Sequence, residues 1–301
     1  MKAKKTELSI LIPNYNNVCV GLVSVLQQQA AALDIDYEIL VADDASPDKD
    51  AIERNQAINT LPYCRYIVKE QNTGAADTRN FLGRNSRYRW LLFMDCDIVI
   101  PDGHFLERYV TDGHEGVVNG GICIVDDNSL RHNLRYLYEK SAEPTHTAER
   151  RQSNRYHEFR STNFLIDREV FKASPFDERF TRSGYEDVLF GKMLKQRKVP
   201  IMHIDNPVMM TEFEGNADYV AKIERSLQTL YTFRNELRGY SRILTIDQGI
   251  HIGLVRGVIR LWHRVFGGLE RRNLCGERPI LELFNIYRLG YYLGIKRSAQ
   301  R

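Results

Sequence analysis

An open α/β fold organised around a mostly parallel sheet is what this chain predicts, and three observations carry that expectation. Short apolar runs of strand length alternate with stretches of helical periodicity over roughly the first hundred residues. The apolar runs are followed by Asn, Asp or Gly, often at once. At 301 residues, 43% hydrophobic and 27% charged, the chain can bury a large core, and its composition is that of a globular protein.

The elements follow in order. Leu8-Ser9-Ile10-Leu11-Ile12-Pro13 is a leucine and β-branched run stopped by proline, the pattern of a buried strand. From Val18 to Ala32, the residues Val20, Val23, Leu26 and Ala30 recur at helical spacing. Tyr37–Ala42 reads as a second strand, closed by the turn Asp43-Asp44-Ala45-Ser46-Pro47-Asp48. Asp50–Asn59 is a helix candidate and Cys64–Val68 a third strand. Asn72-Thr73-Gly74 breaks the chain before a helix over Ala75–Asn85, and Trp90–Met94 is a fourth strand ended by Asp95. Such alternation argues for parallel strands joined by helical crossovers, with ligands bound beyond the strands' carboxyl ends. The polar tips Asn14-Tyr15-Asn16, Asp43-Asp44, Asn72-Thr73-Gly74 and Asp95-Cys96-Asp97 all fall on that edge.

The second half is mixed from about Gly113 to Met210. A strand is expected over Thr162–Asp167, and a polar turn at Gly184 enters a helix running to Lys198. Asn216 to about Asn235 carries Val220, Ile223, Leu227, Leu230 and Tyr231 at helical spacing, and Arg238–Gln248 reads as a link. Beyond it, residues 251–301 hold ten Arg or Lys against Glu270, Glu277 and Glu282, a local +7 in a chain of net +3. The first 250 residues are therefore net −4, which gives no footing for nucleic-acid binding.

Five scattered cysteines, Cys19, Cys64, Cys96, Cys123 and Cys275, form no CxxC or Cys/His cluster and suit free thiols in a reducing compartment. Met1-Lys2-Ala3-Lys4-Lys5 has the charge of a signal peptide, but the apolar run after it is too short. No 18-residue apolar stretch appears, and a cytoplasmic location, with peripheral attachment to the inner face of the cell membrane as a variant, is the expectation.

Asp95-Cys96-Asp97 follows five apolar residues, so its carboxylates at i and i+2 can share one polar feature such as a hard cation and the phosphates it accompanies. Asp43-Asp44 closes a strand in the same way and is either a surface turn or an acceptor for base N–H or ribose hydroxyl groups. Gly74 at a helix start, with Arg79 one turn on, offers amides and a cation to a diphosphate, or simply a cap. Glu186-Asp187 opens another helix, where acids either cap and offset the dipole or supply a general base.

Taken together, Ser9–Asn16, Val41–Ser46, Asn72-Thr73-Gly74 with Arg79-Asn80, Asp95-Cys96-Asp97 and Glu186-Asp187 resemble, in order, the motifs of family 2 glycosyltransferases of the GT-A fold, over roughly residues 7–210. The resemblance implies an inverting transferase using a nucleoside-diphosphate sugar, UDP-linked by preference, with Mg²⁺ or Mn²⁺. It divides the chain into a GT-A catalytic domain, 1–237, and a helical basic extension, 238–301. By position it assigns Pro13, Tyr15, Asn16, Asp43, Asp44, Asn72, Gly74, Arg79 and Asp95 to the donor. Asp97 goes to the metal, with Asp95 and then His203 as further ligand candidates. Asp187 is the implied base with Glu186 beside it, and Asn163 and Tyr185 are acceptor candidates. The implied acceptor is a hydroxyl of a glycan or glycolipid, as in cell-surface polysaccharide synthesis.

Two departures stand out. Asp77 adds a charge where relatives have small residues, and Met209-Met210 follows Asn206-Pro207-Val208 where relatives often place a histidine. A thioether is a poor ligand for a hard cation. In the tail, Leu254, Val255, Val258, Ile259, Trp262, Val265 and Phe266 share one face, with Arg256, Arg260 and Arg264 on another. That pattern suits an anionic membrane surface, packing on the catalytic domain, or a homodimer contact. Two other functions stay open: a non-catalytic sugar-nucleotide-binding or scaffold protein, and a nucleotidyltransferase. The latter calls for a Gly- and Lys/Arg-rich loop where this chain has Pro13-Asn14-Tyr15-Asn16.

Overall fold

Each apolar run of the first hundred residues becomes a strand. β1 (Glu7–Asn14), β2 (Asp36–Asp43), β3 (Cys64–Val68) and β4 (Trp90–Met94) are parallel, ordered β3-β2-β1-β4. Asn14 pairs with Asp43 and Asp43 with Val68, so three carboxyl ends stand level. Leu11 pairs with Phe93, which leaves Asp95 two residues past that pair, as Pro13 is. The crossovers are α1 (Val20–Ala31), α2 (Lys49–Asn55) and α3 (Ala75–Asn85). The helix expected over Asp50–Asn59 ends early: Asp48 caps α2 by accepting from the Asp50 and Ala51 amides, and Gln56–Thr60 tightens into a 3₁₀ turn. The computed structural model describes residues 4–182, 184–249 and 253–298. Met1-Lys2-Ala3, Ser183, the start of the basic tail at His251 and its end at Arg301 lie outside the described residues, as do the side chains of Lys296 and Arg297.

Beyond β4, α4 (Phe105–Thr111) packs Phe105, Leu106, Tyr109 and Val110 into the core beneath the sheet. β5 (Val117–Asn119) and β6 (Ile122–Ile124) are three residues each, too short to show a period in sequence. α5 (Leu134–Ala142) and α6 (Ala148–Ser153) follow, then β7 (Asn163–Asp167), antiparallel to both β4 and β5, and α7 (Arg168–Ala173). α8 (Glu186–Gln196) leads to β8 (Ile201–His203), parallel to β5, which completes the order β3-β2-β1-β4-β7-β5-β8. β9 (Val208–Met210) pairs in parallel with β6 as a separate two-stranded sheet.

The chain divides into two compact units: Met1–Val125, Thr145–Thr181 and Phe190–Glu212 in one, Asp126–Pro144, Arg182–Leu189 and Phe213–Arg301 in the other. The first holds both sheets. The second is helical, with α9 (Asn216–Thr232), α10 (Arg242–Gly249), α11 (Gly253–Leu274) and α12 (Leu281–Ser298). Its core gathers Leu134, Tyr219, Val220, Leu274, Phe284 and Tyr287. The expected link at Arg238–Gln248 is in fact mostly α10, which buries Ile243, Leu244 and Asp247 along one side, a stripe only two turns long.

Candidate active site

The edge built from strand tips begins with Asp43, fully buried at the end of β2. Its carboxylate accepts from Asn14 Nδ2 at 2.9 Å, the Ser46 amide and hydroxyl at 2.8 Å each, and the Tyr66 hydroxyl at 2.9 Å. Four donors on one buried carboxylate join β1, β2 and β3 at their tips. The Asn16 amide donates to Ser46 Oγ at 2.8 Å, which ties the β1 tip to the same turn. Asn16 and Ala45 both sit at positive φ, 52° and 55°, a conformation Asn tolerates and Ala resists. Pro13 is half-buried, while Tyr15 (49%) and Asn16 are exposed on this edge.

Pleating sends Asp44 away from Asp43, so the two adjacent acids find separate partners. Asp44, 4% exposed, accepts from Lys69 Nζ at 2.7 Å and from the Thr73 and Gly74 amides at 3.0 and 2.8 Å. Burial alone would raise its carboxyl, but the Lys69 ammonium and the two amides outweigh it and hold the group below the usual carboxylate range. Lys69 also donates to Asp77 at 2.9 Å, to Thr78 Oγ1 at 3.0 Å and to the Thr73 hydroxyl. The extra charge of Asp77 is thereby explained: Lys69 and Arg84 balance it. Sequence reasoning missed Lys69, although a lone lysine directly after a strand was the available signal. Gly74 is required where it stands: φ is +92°, and a Cβ would lie 2.8 Å from the Thr181 carbonyl oxygen. Asn72 is exposed.

At the β4 tip, Asp95 accepts from Arg79 Nη2 at 2.8 Å. Arg79 is buried in α3 with its guanidinium 5.4 Å from the Phe176 ring centre. The Asp95 side chain stays 28% exposed and Asp97 is half-buried. The Cys96 thiol between them hydrogen-bonds the Tyr15 backbone, and burial, then the Asp97 charge, push it well up, so it is an inert thiol. Two residues past Asp97, Val99 exchanges both backbone hydrogen bonds with Met209, at 2.9 and 2.8 Å. The segment in which relatives often carry a histidine therefore pairs with the chain two residues beyond Asp97. Here it supplies thioethers.

A divalent cation fits this donor set in kind. Mg²⁺ and Mn²⁺ take one or two carboxylates and leave the remaining positions to water and substrate phosphate. Among the described residues no group of three or more His, Cys, Asp or Glu side chains gathers into a cage.

Two candidates are corrected by their surroundings. His203 is 4% exposed and both its ring nitrogens are taken, Nδ1 by Arg151 Nη1 at 2.8 Å and Nε2 by the Arg155 carbonyl at 2.9 Å. Burial first, and Arg151 with it, bring its pKa down to about 4, so the ring is neutral and spent on the core rather than on a cation. Asn163, 1% exposed, accepts from the Tyr109 hydroxyl at 2.6 Å and donates to the Gly121 and Asn206 carbonyls, leaving nothing for an acceptor sugar. Both belong to a network centred on Arg151, whose guanidinium also donates to the Asn119, Gly120, His146 and Ile204 carbonyls. Sequence offered no sign of it.

Glu186 and Asp187 open α8 in the second unit. Glu186 Oε2 accepts from the Gly184 amide at 2.7 Å, and Asp187 Oδ1 from the Val188 amide at 2.8 Å. Tyr185, at φ 72°, hydrogen-bonds Ser241 and Arg288 of the same unit. Elsewhere, an open cleft of about 390 Å³ lined by Lys5, Glu7, Arg89, Trp90 and His114 lies at the opposite, amino-terminal ends of the strands. Its Lys5 is committed to the Asp112 carbonyl and the Trp90 ring.

A family model described as Glycosyl transferase family 2 matches residues 9–174. An uncharacterized glycosyltransferase of Haemophilus influenzae is 34% identical over 92 residues, 30% of this chain and 29% of that protein. A chondroitin synthase of Escherichia coli is 25% identical over 226 residues, 62% of this chain and 32% of that protein. The chain thus spans under a third of the length of these relatives. Among solved structures, the mannosyltransferase PcManGT of Pyrobaculum calidifontis, in complex with GDP-Man and Mn²⁺, superposes with a TM-score of 0.57 at 12% identity, over 99% of this chain and 88% of that one. TarS 1-349 of S. aureus gives 0.50 at 16% identity, over 98% and 91%. At these identities the likeness is one of fold.

Proposed function

The chain belongs to glycosyl transferase family 2 and has the GT-A fold, and from that premise we propose an inverting, metal-dependent transferase. It moves a sugar from a nucleoside-diphosphate sugar, UDP-linked by preference, to a hydroxyl of a glycan or lipid-linked glycan in cell-surface polysaccharide assembly. One observation carries the reading: Asp95 and Asp97 stand on a turn directly after fully buried β4, with Arg79 clamped on Asp95. The Escherichia coli relative supports a polysaccharide product, and the GDP-Man and Mn²⁺ held by PcManGT support a nucleotide sugar and a divalent cation.

In this reading Tyr15, Asn16 and Asn72, exposed at the strand tips, receive the nucleoside. Asp43 and Asp44 hold those tips in place. Asp97, with Asp95 second, would hold Mg²⁺ or Mn²⁺, which when bound offsets charge on the leaving diphosphate. Asp187 takes the proton from the acceptor hydroxyl, with Glu186 beside it. The new bond forms at the anomeric carbon as the bond to the diphosphate breaks on the opposite face, which inverts the centre.

The test is a panel of nucleotide sugars with Mn²⁺, read by slow donor hydrolysis and by thermal stabilisation. Asp97→Ala is expected to abolish turnover. Asp187→Asn is expected to abolish it too while keeping nucleotide-induced stabilisation. Unchanged turnover in Asp187→Asn would remove the base assignment. Stabilisation without turnover for every donor would favour a non-catalytic nucleotide-sugar-binding protein.

A further inference from the structure

An ordinary surface helix turns its apolar stripe to the core and its polar residues to water. α11 does the reverse. Its one acid, Glu270, is 3% exposed and accepts from Trp262 Nε1 at 2.7 Å, with His263 Nδ1 at 3.1 Å. His263 meets the Tyr287 ring of α12 edge-on at 5.2 Å, and Gly290 makes that approach possible, since a Cβ there would fall 2.7 Å from His263. Arg256 reaches Asp247 of α10, and Arg271 reaches Glu224 of α9 at 2.9 Å. The polar side of the helix is thus its protein-facing side.

The other side carries Leu254, Val258, Leu261, Trp262, Val265 and Leu269. Leu254 is 76% exposed, and even Trp262, the least exposed of the six, is 48% exposed. At 1.5 Å per residue the stripe runs about 22 Å. A contiguous apolar patch of several hundred Å² on one helix face marks an interaction surface.

We propose that this face of α11 lies on an anionic lipid bilayer, with the helix parallel to the membrane plane. Charge complementarity selects that occupant. Arg264 and Arg272 are exposed beside the stripe, and the only acid of the helix points inward. A second copy would bring the same arginines face to face with no acid on the stripe to receive them. No helix among the described residues is long and apolar enough to cross a membrane, so attachment is to the surface. Trp262 sits on the stripe, as tryptophan does at a lipid–water boundary.

The inference does not rest on the transferase reading, and its test needs no turnover. The full chain is mixed with phosphatidylcholine vesicles, with and without phosphatidylglycerol, and binding is read by flotation and by Trp262 emission. Trp90, the other tryptophan, is buried and serves as a silent reference. Binding to the anionic vesicles with a blue shift is expected, weaker by about tenfold or more on neutral ones. Leu261→Asp with Val265→Asp should reduce anionic binding at least about tenfold with an unchanged melting temperature, since both side chains already stand in water. Arg264→Gln with Arg272→Gln should reduce binding to anionic vesicles only. No binding by the native chain, or equal binding by the double aspartate variant, overturns the proposal. So does a native dimer that this variant dissolves without any vesicle binding, which would assign the face to a second copy.

Discussion

Lys69→Met removes the one cation shared by Asp44 and Asp77. Its ammonium lies 2.7 and 2.9 Å from their oxygens, and the three side chains are 10%, 6% and 19% exposed. Breaking a buried pair by deleting one partner costs about 3–5 kcal/mol, against about 0–1 for an exposed pair. Asp44 keeps the Thr73 and Gly74 amides and Asp77 keeps Arg84, so the loss belongs at the low end, about 3 kcal/mol at neutral pH. The pH dependence identifies the cause. Both carboxyls are held below their ordinary values in the folded chain. Their stabilisation is therefore full above about pH 4 and lost as pH falls through the folded values. Without Lys69, burial stands against fewer partners and the folded values rise. In strong acid both carboxyls are protonated in either protein, and the difference between variant and parent should shrink below about 1 kcal/mol. Urea unfolding followed by tryptophan emission at neutral pH and at about pH 1–2 measures both quantities. A neutral-pH loss under about 1 kcal/mol, or an equal loss at both pH values, would refute the argument.

Gly74→Ala must place a Cβ at φ +92° and 2.8 Å from the Thr181 carbonyl, and a loss of about 2–4 kcal/mol in urea unfolding is expected. Tyr66→Phe removes one of the four donors on buried Asp43 and should cost about 1–3 kcal/mol by the same measurement; a neutral result would mean that water replaces the phenol. His203 and His146, both brought down to about 4, stay neutral in the folded chain while the unfolded chain binds protons from about pH 6.5 downward. Stability should therefore fall between those limits, by up to about 3 kcal/mol for each ring. His203→Gln should remove roughly half of that slope, and an undiminished slope in thermal melts would exclude His203 as its source.

The sheet was legible where strands are buried on both faces, as in β1, β2 and β4, and at the less buried edge strand β3 through its β-branched and aromatic residues. β1 to β4 show as apolar runs with polar stops, and Cys64–Val68, Ala75–Asn85 and Trp90–Met94 fall on the residues expected. Three-residue strands such as β5, β6, β8 and β9 carry no period, and two-turn α10 carries too short a stripe. The amphipathicity of α11 was plain in sequence, but its direction was not. A hydrophobic stripe looks the same whether a core or water lies against it, and only the placement of Glu270 and His263 shows which side is inward.

The same distinction governs the strand-tip edge. Residue type and position marked Asp43, Asp44, Asp95 and Asp97 alike as acids after buried strands, yet their partners separate them. Asp43 has four donors and Asp44 has Lys69 and two amides, all from within the protein, and neither is more than 4% exposed. In the proposed transferase such carboxylates would act on the donor through the backbone they fix: the Ser46 turn, the Asn16 amide and the Thr73-Gly74 turn. Asp95 differs, since one buried cation holds it while its side chain stays 28% exposed. Substitutions at Asp43 or Asp44 should therefore move stability and donor binding together, whereas Asp97→Ala should move turnover with little change in unfolding free energy. A stability loss for Asp97→Ala as large as that for Asp44→Asn would place both acids in the scaffold and leave Asp95 as the one remaining candidate for a metal-binding carboxylate on this edge.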